Sequence, residues 1–192
     1  MIPSFVYKNE YKNVEKDFSR RKNLIFVGDF LQASNVDGMN WFSKEIYPKI
    51  IEKFPDIILH ITGSDIPYEI IKLKSKNIKI DGFLRYEDLM ILYQKCRIAI
   101  VPLRFGNGIN AQILDAANNQ IPIVTTSIGA EGLDDSIGAF IIEDKADNMC
   151  KKICQLYINY DKLEQMSNNG KVLIDKYFSI NKTIEIIKND FK

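Results

Sequence analysis

The most informative segment of this 192-residue chain runs from Ile98 to Ala117 and reads IAIVPLRFGNGINAQILDAA. It opens with a short apolar run rich in β-branched residues, which is typical of a buried strand. Gly106 and Gly108 follow as a turn, since glycine adopts positive φ and allows another group to approach the backbone closely. After the glycines the apolar spacing becomes helical. The segment therefore predicts a strand, a glycine turn and a helix over about 97–118.

A helix that begins directly after a glycine turn favours anion binding. Its first N–H groups have no partner within the helix, and the positive end of the helix dipole points at the turn. Asp115 lies seven residues past Gly108, so two helical turns return it to the same face. A carboxylate there can accept hydrogen bonds from a ribose diol. The pattern predicts a phosphate site beside a ribose site, with a plain strand-to-helix turn as the alternative for the glycine pair.

Apolar runs alternate with amphipathic stretches along the rest of the chain, which is typical of a parallel sheet covered by helices. Strands are predicted at 24–28, 56–62, 77–81, 97–102, 121–125 and 138–142. Helices are predicted at 36–53, 67–75, 86–95, 109–118, 145–159, 161–176 and 180–190. We therefore expect an α/β fold, a doubly wound Rossmann-like parallel six-stranded sheet with helices on both faces and a C-terminal helical tail.

Composition and charge narrow the class of protein. A chain with 46% hydrophobic residues and this length is expected to form one domain with a sizeable core. Its 26 basic and 25 acidic residues nearly cancel, which argues against a nucleic-acid partner and favours at most peripheral membrane contact. The apolar runs are strand-sized, so we expect no transmembrane helix, no signal peptide and a cytoplasmic location. Cys96, Cys150 and Cys154 lack the spacing of a metal site or a disulfide framework.

A second buried strand and a second glycine loop follow, from Gln120 to Leu133. Together, residues 98–133 resemble the donor-binding core of retaining glycosyltransferases of family 4, the glycosyl transferases group 1, whose two Rossmann-like halves form the GT-B arrangement. The resemblance extends to FVG at 26–28, NVD at 35–37, ITGS at 61–64 and DGF at 81–83. These motifs occur in family order over about 24–135. The resemblance implies one half of a GT-B fold, the half that binds the nucleotide sugar.

The resemblance also implies a reaction. A sugar would pass from a nucleoside diphosphate sugar, with retention, to a glycan or lipid-linked acceptor in polysaccharide biosynthesis, with the diphosphate as local base and no metal. The resemblance further implies an N-terminal acceptor domain, which is expected in cis or in trans, so this half alone is expected to be inactive. A homo-oligomer is a further expected assembly. The expected boundaries are an arm or linker over 1–23, a Rossmann-like domain over 24–178 and a C-terminal helix over 179–192.

Site residues follow from the resemblance, position by position. The residues expected at the donor diphosphate are Gly28, Arg104, Gly106, Asn107, Gly108, Ile109 and Asn110. Asp115 is expected to bind the ribose, and the backbone of Phe83 and Leu84 to pair with the nucleobase. No catalytic residue is assigned and no metal ligand is expected. A surface ion pair is the alternative for Arg104, and a bond to local backbone is the alternative for Asp115.

The chain departs from the family pattern at charged positions. Relatives often carry lysine where this chain has Asn110 or Gln112, and arginine where it has Asp29. The first glutamate of the family's two-acid motif maps to Asn107, and the second to Asp115. These departures favour a second hypothesis, a non-catalytic nucleotide-sugar-binding or scaffold subunit of a glycosyltransferase complex. A small flavodoxin-like regulator is a third, disfavoured by six strands and a helical tail.

Overall fold

A computed structural model of the protein describes residues 5–7 and 17–190, without the side chains of Asp135 and Asp190. The predicted arm over 1–23 therefore lies largely outside the described residues. The strands are β1 (Asn23–Val27), β2 (Leu59–Thr62), β3 (Ile78–Gly82), β4 (Cys96–Val101), β5 (Ile123–Thr125) and β6 (Phe140–Ile142). The helices are α1 (Ala33–Trp41), α2 (Tyr47–Lys53), α3 (Tyr68–Ile71), α4 (Tyr86–Lys95), α5 (Ala111–Asn118), α6 (Ala146–Tyr157), α7 (Tyr160–Leu173) and α8 (Ile180–Asp190).

The strands form one parallel sheet in the order β3-β2-β1-β4-β5-β6. The chain builds outward from β1 to β3 and then returns to place β4 on the other side of β1. The direction of winding therefore reverses between β1 and β4. At such a switch point the loops that leave the carboxyl ends of the central strands diverge and open a crevice. The prediction of a doubly wound, six-stranded parallel sheet is confirmed.

Alternate side chains of the central strand β1 pack into two separate hydrophobic cores. In β1, Leu24 and Phe26 belong to the core that also contains residues of α1, α2 and α6. Ile25 points the other way, into the core formed with α4 and α5. All three side chains are fully buried. Helices therefore cover both faces of the sheet, as predicted.

The helix predicted over 36–53 differs in its start and in its interior. It begins at Ala33 and contains a π-helical turn at Phe42–Ile46 before α2. Pro48 lies at the start of α2 and has no N–H to donate to the preceding turn. The wider π-helical turn accommodates that missing bond, so the interruption has a local cause in the sequence.

One further helix and one strand are shorter than predicted. The helix expected over 67–75 is only the single turn α3. Ser75 N donates to Ile78 O at 3.0 Å, and Ile78 N donates to Ser75 Oγ at 3.1 Å, so this segment forms a turn instead. Strand β5 begins after Pro122, which cannot donate to a ladder.

Within residues 5–7 and 17–190, no helix has the length and apolar character needed to cross a bilayer.

The first described residues lie against the C-terminal helix. Tyr7 N donates to Phe178 O at 2.8 Å, and Ile180 N donates to Tyr7 O at 3.0 Å. These bonds pair Tyr7 with Ser179 as an isolated parallel bridge. Segment 5–7 is thereby held at the start of α8.

Tyr47 provides a test of the packing around β2. Its hydroxyl accepts from Leu59 N at 3.0 Å and lies 2.9 Å from Ile57 O and 2.7 Å from Asn77 O. Tyr47→Phe keeps the ring but removes the partner of these backbone groups. We expect the free energy of unfolding to fall by about 2 kcal/mol, measured by urea denaturation. Tyr68→Phe is the control, since Tyr68 is 70% exposed; equal losses in both variants would contradict this account.

Candidate functional site

The glycine turn after β4 has the predicted conformation. Gly106 has a φ of +135° and Gly108 a φ of +82°, both in the region that side chains other than glycine rarely adopt. Among the described residues, chain neighbours aside, no atom lies within 4 Å of the Cβ position at either glycine. The backbone of this turn is therefore open to an approaching group. Helix α5 begins just beyond it, and its N-cap residue Asn110 makes no side-chain capping hydrogen bond.

A cavity of about 460 Å³ opens at the switch point between β1 and β4. We call it the switch-point cavity. Its wall contains the loop ends after β1, β2, β3 and β4 and the first turns of α5. The lining residues are Phe5, Val27, Gly28, Asp29, Gln32, Thr62, Gly63, Ser64, Phe83, Leu84, Leu89, Asn107, Ile109, Asn110, Ala111, Gln112 and Asp115. The volume is in the range of small-molecule sites in proteins.

Most of the residues predicted from sequence meet in this cavity. The members of the prediction that line it are Gly28, Phe83, Leu84, Asn107, Ile109, Asn110 and Asp115. Gly106 and Gly108 lie in the same loop as the lining residues 107 and 109. The structure thus brings the predicted phosphate, ribose and base positions to one edge of the sheet, over loops from four strands.

Arg104 lies elsewhere. Its Nε donates to Asp37 Oδ2 at 2.8 Å, and its Nη2 donates to Asp37 Oδ1. This hydrogen bonding lowers the pKa of Asp37. The pair lines a neighbouring hollow of about 780 Å³, together with Trp41. The alternative of a surface ion pair therefore describes Arg104, and a role at a diphosphate would require its guanidinium to leave Asp37.

The switch-point cavity carries negative charge. Among its described lining residues the charged side chains are Asp29 and Asp115, and none is a lysine or an arginine. A third carboxylate reaches the glycine turn, because Gly108 N donates to Glu131 Oε2 at 2.8 Å. The second glycine loop thus places an anionic group on one of the N–H groups predicted to bind phosphate. This contact was not predicted from the sequence.

Asn110 and Gln112, where the resemblance led us to expect lysine, are uncharged. Gln112 Nε2 donates to Asn35 Oδ1 at 2.7 Å, and Asn35 Nδ2 donates to Asp29 O at 2.7 Å. Asp29 in turn accepts from Ser64 Oγ at 3.0 Å. This chain of hydrogen bonds ties α5 to the loops after β1 and β2. It fixes the shape of the cavity but adds no positive charge.

Asp115 has a partner that was not predicted from the sequence. Tyr7 Oη donates to Asp115 Oδ1 at 2.6 Å. Burial raises the pKa of Asp115 and also raises the pKa of Tyr7 well above its ordinary value. In the described structure the carboxylate of Asp115 bonds to Tyr7 and makes no hydrogen bond to nearby backbone, which was the local alternative.

The fold and the position of the cavity define a Rossmann-like half of a GT-B arrangement. Residues 21–159 match the family Glycosyl transferases group 1, and the chain belongs to that family. The chain is 28% identical over 173 residues to an uncharacterized 44.6 kDa protein in the cps region of Klebsiella pneumoniae. The alignment covers 86% of this chain and 45% of that protein.

Solved structures with the same fold are also larger than this chain. TarM from S. aureus, in a complex that contains UDP, superimposes with a TM-score of 0.77 at 17% identity over 98% of this chain and 38% of its own. HepE from Anabaena, in complex with UDP and glucose, superimposes with a TM-score of 0.72 at 12% identity. The match covers 97% of this chain and 55% of HepE. WaaG, a glycosyltransferase involved in lipopolysaccharide biosynthesis, superimposes with a TM-score of 0.70 at 14% identity. The match covers 91% of this chain and 51% of WaaG. At these identities the likeness establishes the fold, and the chain spans about half or less of each of these proteins.

Proposed function

We propose that this chain is the donor-binding half of a retaining, metal-independent glycosyltransferase that acts in the cytoplasm on a glycan or lipid-linked acceptor. The observation that carries the proposal is the meeting of the open glycine turn, the start of α5 and Asp115 in one cavity at the switch point. The relative from the cps region and the UDP complexes of TarM and HepE support the class of ligand. A nucleoside diphosphate sugar is the proposed donor.

The chemistry asked of this half is to hold the diphosphate as the glycosidic bond breaks. Backbone N–H groups at Gly108, Ile109 and Asn110, with the dipole of α5 behind them, would stabilise the charge that develops on the leaving group. Each such charge-assisted hydrogen bond contributes about 1.5–3 kcal/mol. The acceptor would come from a second domain, in cis or in trans, and this half alone would bind the donor without turnover.

The negative lining sets the expected affinity. A diphosphate entering this cavity meets Asp29, Asp115 and Glu131 without a described lysine or arginine on the wall. Association also costs several kcal/mol of translational and rotational freedom. We expect dissociation constants between about 10 μM and 1 mM for the isolated chain.

Calorimetry or ligand-observed NMR across UDP, GDP, ADP and CMP sugars tests the proposal. Binding of at least one of them is the expected result. Silence from all of them at millimolar concentration would overturn it.

The lack of a lysine or arginine among the described lining residues favours one alternative function, a non-catalytic scaffold subunit of a glycosyltransferase complex. Such a subunit would keep the fold and lose donor affinity, so the same titration separates the two functions. In the alternative, the chain would bind a partner protein in the absence of any nucleotide sugar.

Glu131→Gln is expected to raise the affinity for a nucleoside diphosphate about 3- to 10-fold. The glutamate competes with the phosphate for Gly108 N and repels it, whereas glutamine keeps an acceptor without the charge. Titration of UDP, GDP and ADP into both proteins measures the change. Glu164→Gln, at an exposed position of α7, is the matched control and should leave affinity unaltered. A loss of affinity in Glu131→Gln would show that the carboxylate assists binding.

A further inference from the structure

Tyr7 is an unusual neighbour for the proposed ribose ligand. It lies 108 positions before Asp115 in the chain, yet the two side chains are 2.6 Å apart. Its own backbone is fixed on both sides, to Phe178 O and to Ile180 N. Phe5, two residues earlier, lines the switch-point cavity. Segment 5–7 therefore forms part of the cavity wall while it is anchored to α8.

The direction of the hydrogen bond follows from the chemistry. An ionised carboxylate can only accept, and a phenol has one proton to donate, so Tyr7 donates to Oδ1. No other hydrogen bond to this carboxylate is made within the part of the chain that the structure describes, so Oδ2 can accept from a donor in the cavity that Asp115 lines. A ribose diol supplies such donors.

We propose that Tyr7 is a positioning residue that orients the Asp115 carboxylate toward the ribose hydroxyls and so sets the preference for ribonucleotides. The inference rests on the proposed function, in which the cavity takes a nucleoside diphosphate sugar. According to this inference, segment 5–7 and the start of α8 together determine the orientation of the Asp115 carboxylate.

The Tyr7 hydroxyl also acts on the charge of Asp115. Burial raises the pKa of this carboxyl, and the hydrogen bond from Tyr7 opposes that rise. Loss of the hydroxyl would leave the carboxylate easier to protonate and free to rotate. Both changes weaken acceptance of hydrogen bonds from ribose, and neither changes the contacts made to base or phosphate.

The test compares Tyr7→Phe with Tyr177→Phe. Tyr177 Oη donates to Asp134 Oδ2 at 2.6 Å, so this pair has the same tyrosine–aspartate hydrogen bond. Neither residue lines the switch-point cavity. The probes are UDP, GDP and ADP and their 2′,3′-dideoxy counterparts, titrated by calorimetry. We expect wild type to prefer the ribonucleotide about 10-fold or more. Tyr7→Phe should reduce that preference about 5-fold or more by weakening the ribonucleotide alone, and Tyr177→Phe should retain it.

The pH profile supplies a second readout that a merely structural role would not move. In Tyr7→Phe the pH below which ribonucleotide affinity falls should shift upward, because the carboxylate protonates more readily. An unchanged ribonucleotide preference in Tyr7→Phe, with wild type still binding, would overturn this inference and leave the proposed function intact. Equal weakening of ribo and dideoxy forms would also overturn it. Failure of wild type to bind any probe would overturn the proposed function and this inference with it.

Discussion

Gly63→Ala is expected to lower the free energy of unfolding by about 3 kcal/mol or more. Gly63 follows β2 with a φ of +147°, and a Cβ there would lie 1.7 Å from Gly28 O. The obstacle is backbone, so it cannot rotate away. Gly63 N also donates to Gly82 O at 3.0 Å, and any shift that relieves the clash would strain this bond. The two strand ends that carry the cavity wall would have to separate.

Gly82→Ala is the control that carries the backbone strain of a positive φ without the steric clash. Gly82 has a φ of +72°, but a Cβ there meets no described atom within 4 Å. Only the backbone strain of a positive φ remains, so we expect a loss of about 1 kcal/mol. Urea denaturation of both variants and wild type gives the comparison. Similar losses at the two positions would show that φ rather than the approach of Gly28 governs Gly63.

Asp115→Asn is expected to have opposite effects on binding and on stability. Asparagine loses the charge that strengthens hydrogen bonds from a ribose diol, so nucleotide affinity should fall about 10- to 100-fold. The fold should become more stable at neutral pH, because burial raises the pKa of Asp115 and the ionised carboxylate is therefore unfavourable in the folded state. Calorimetric titration and thermal unfolding measure the two effects.

The pH dependence has a definite sign. As the pH rises through the ordinary aspartate range and then through the higher folded-state pKa of Asp115, wild type loses stability relative to Asp115→Asn. The advantage of asparagine should therefore be larger at pH 7 than at pH 3.5. Asp134→Asn is the matched control with the reverse sign, because hydrogen bonds from Ser136 and Tyr177 lower the pKa of Asp134 to about 2. Destabilisation by Asp115→Asn at pH 7 would contradict the role assigned to burial.

Local patterns in the sequence determined the elements and their order. The apolar run, glycines and helical spacing over 98–117 appear in the structure as β4, an open turn at positive φ and α5. Six strands and two buried faces could be predicted because strand and helix periodicity are properties of neighbouring residues. The cavity followed from topology, since parallel strands bring their carboxyl ends to one edge. The ligand assigned to that cavity rests on the resemblance and stays a prediction.

The partners of the charged side chains were settled only by tertiary packing. Arg104 lies on Asp37, Glu131 on Gly108 and Tyr7 on Asp115, each contact joining segments far apart in the chain. No periodicity encodes such pairs, because they depend on how loops from different strands converge after the sheet has formed. Sequence alone therefore determined at which end of the sheet the candidate cavity lies. The three-dimensional fold decided which charged side chains line the cavity, and it decided that Tyr7 donates a hydrogen bond to Asp115.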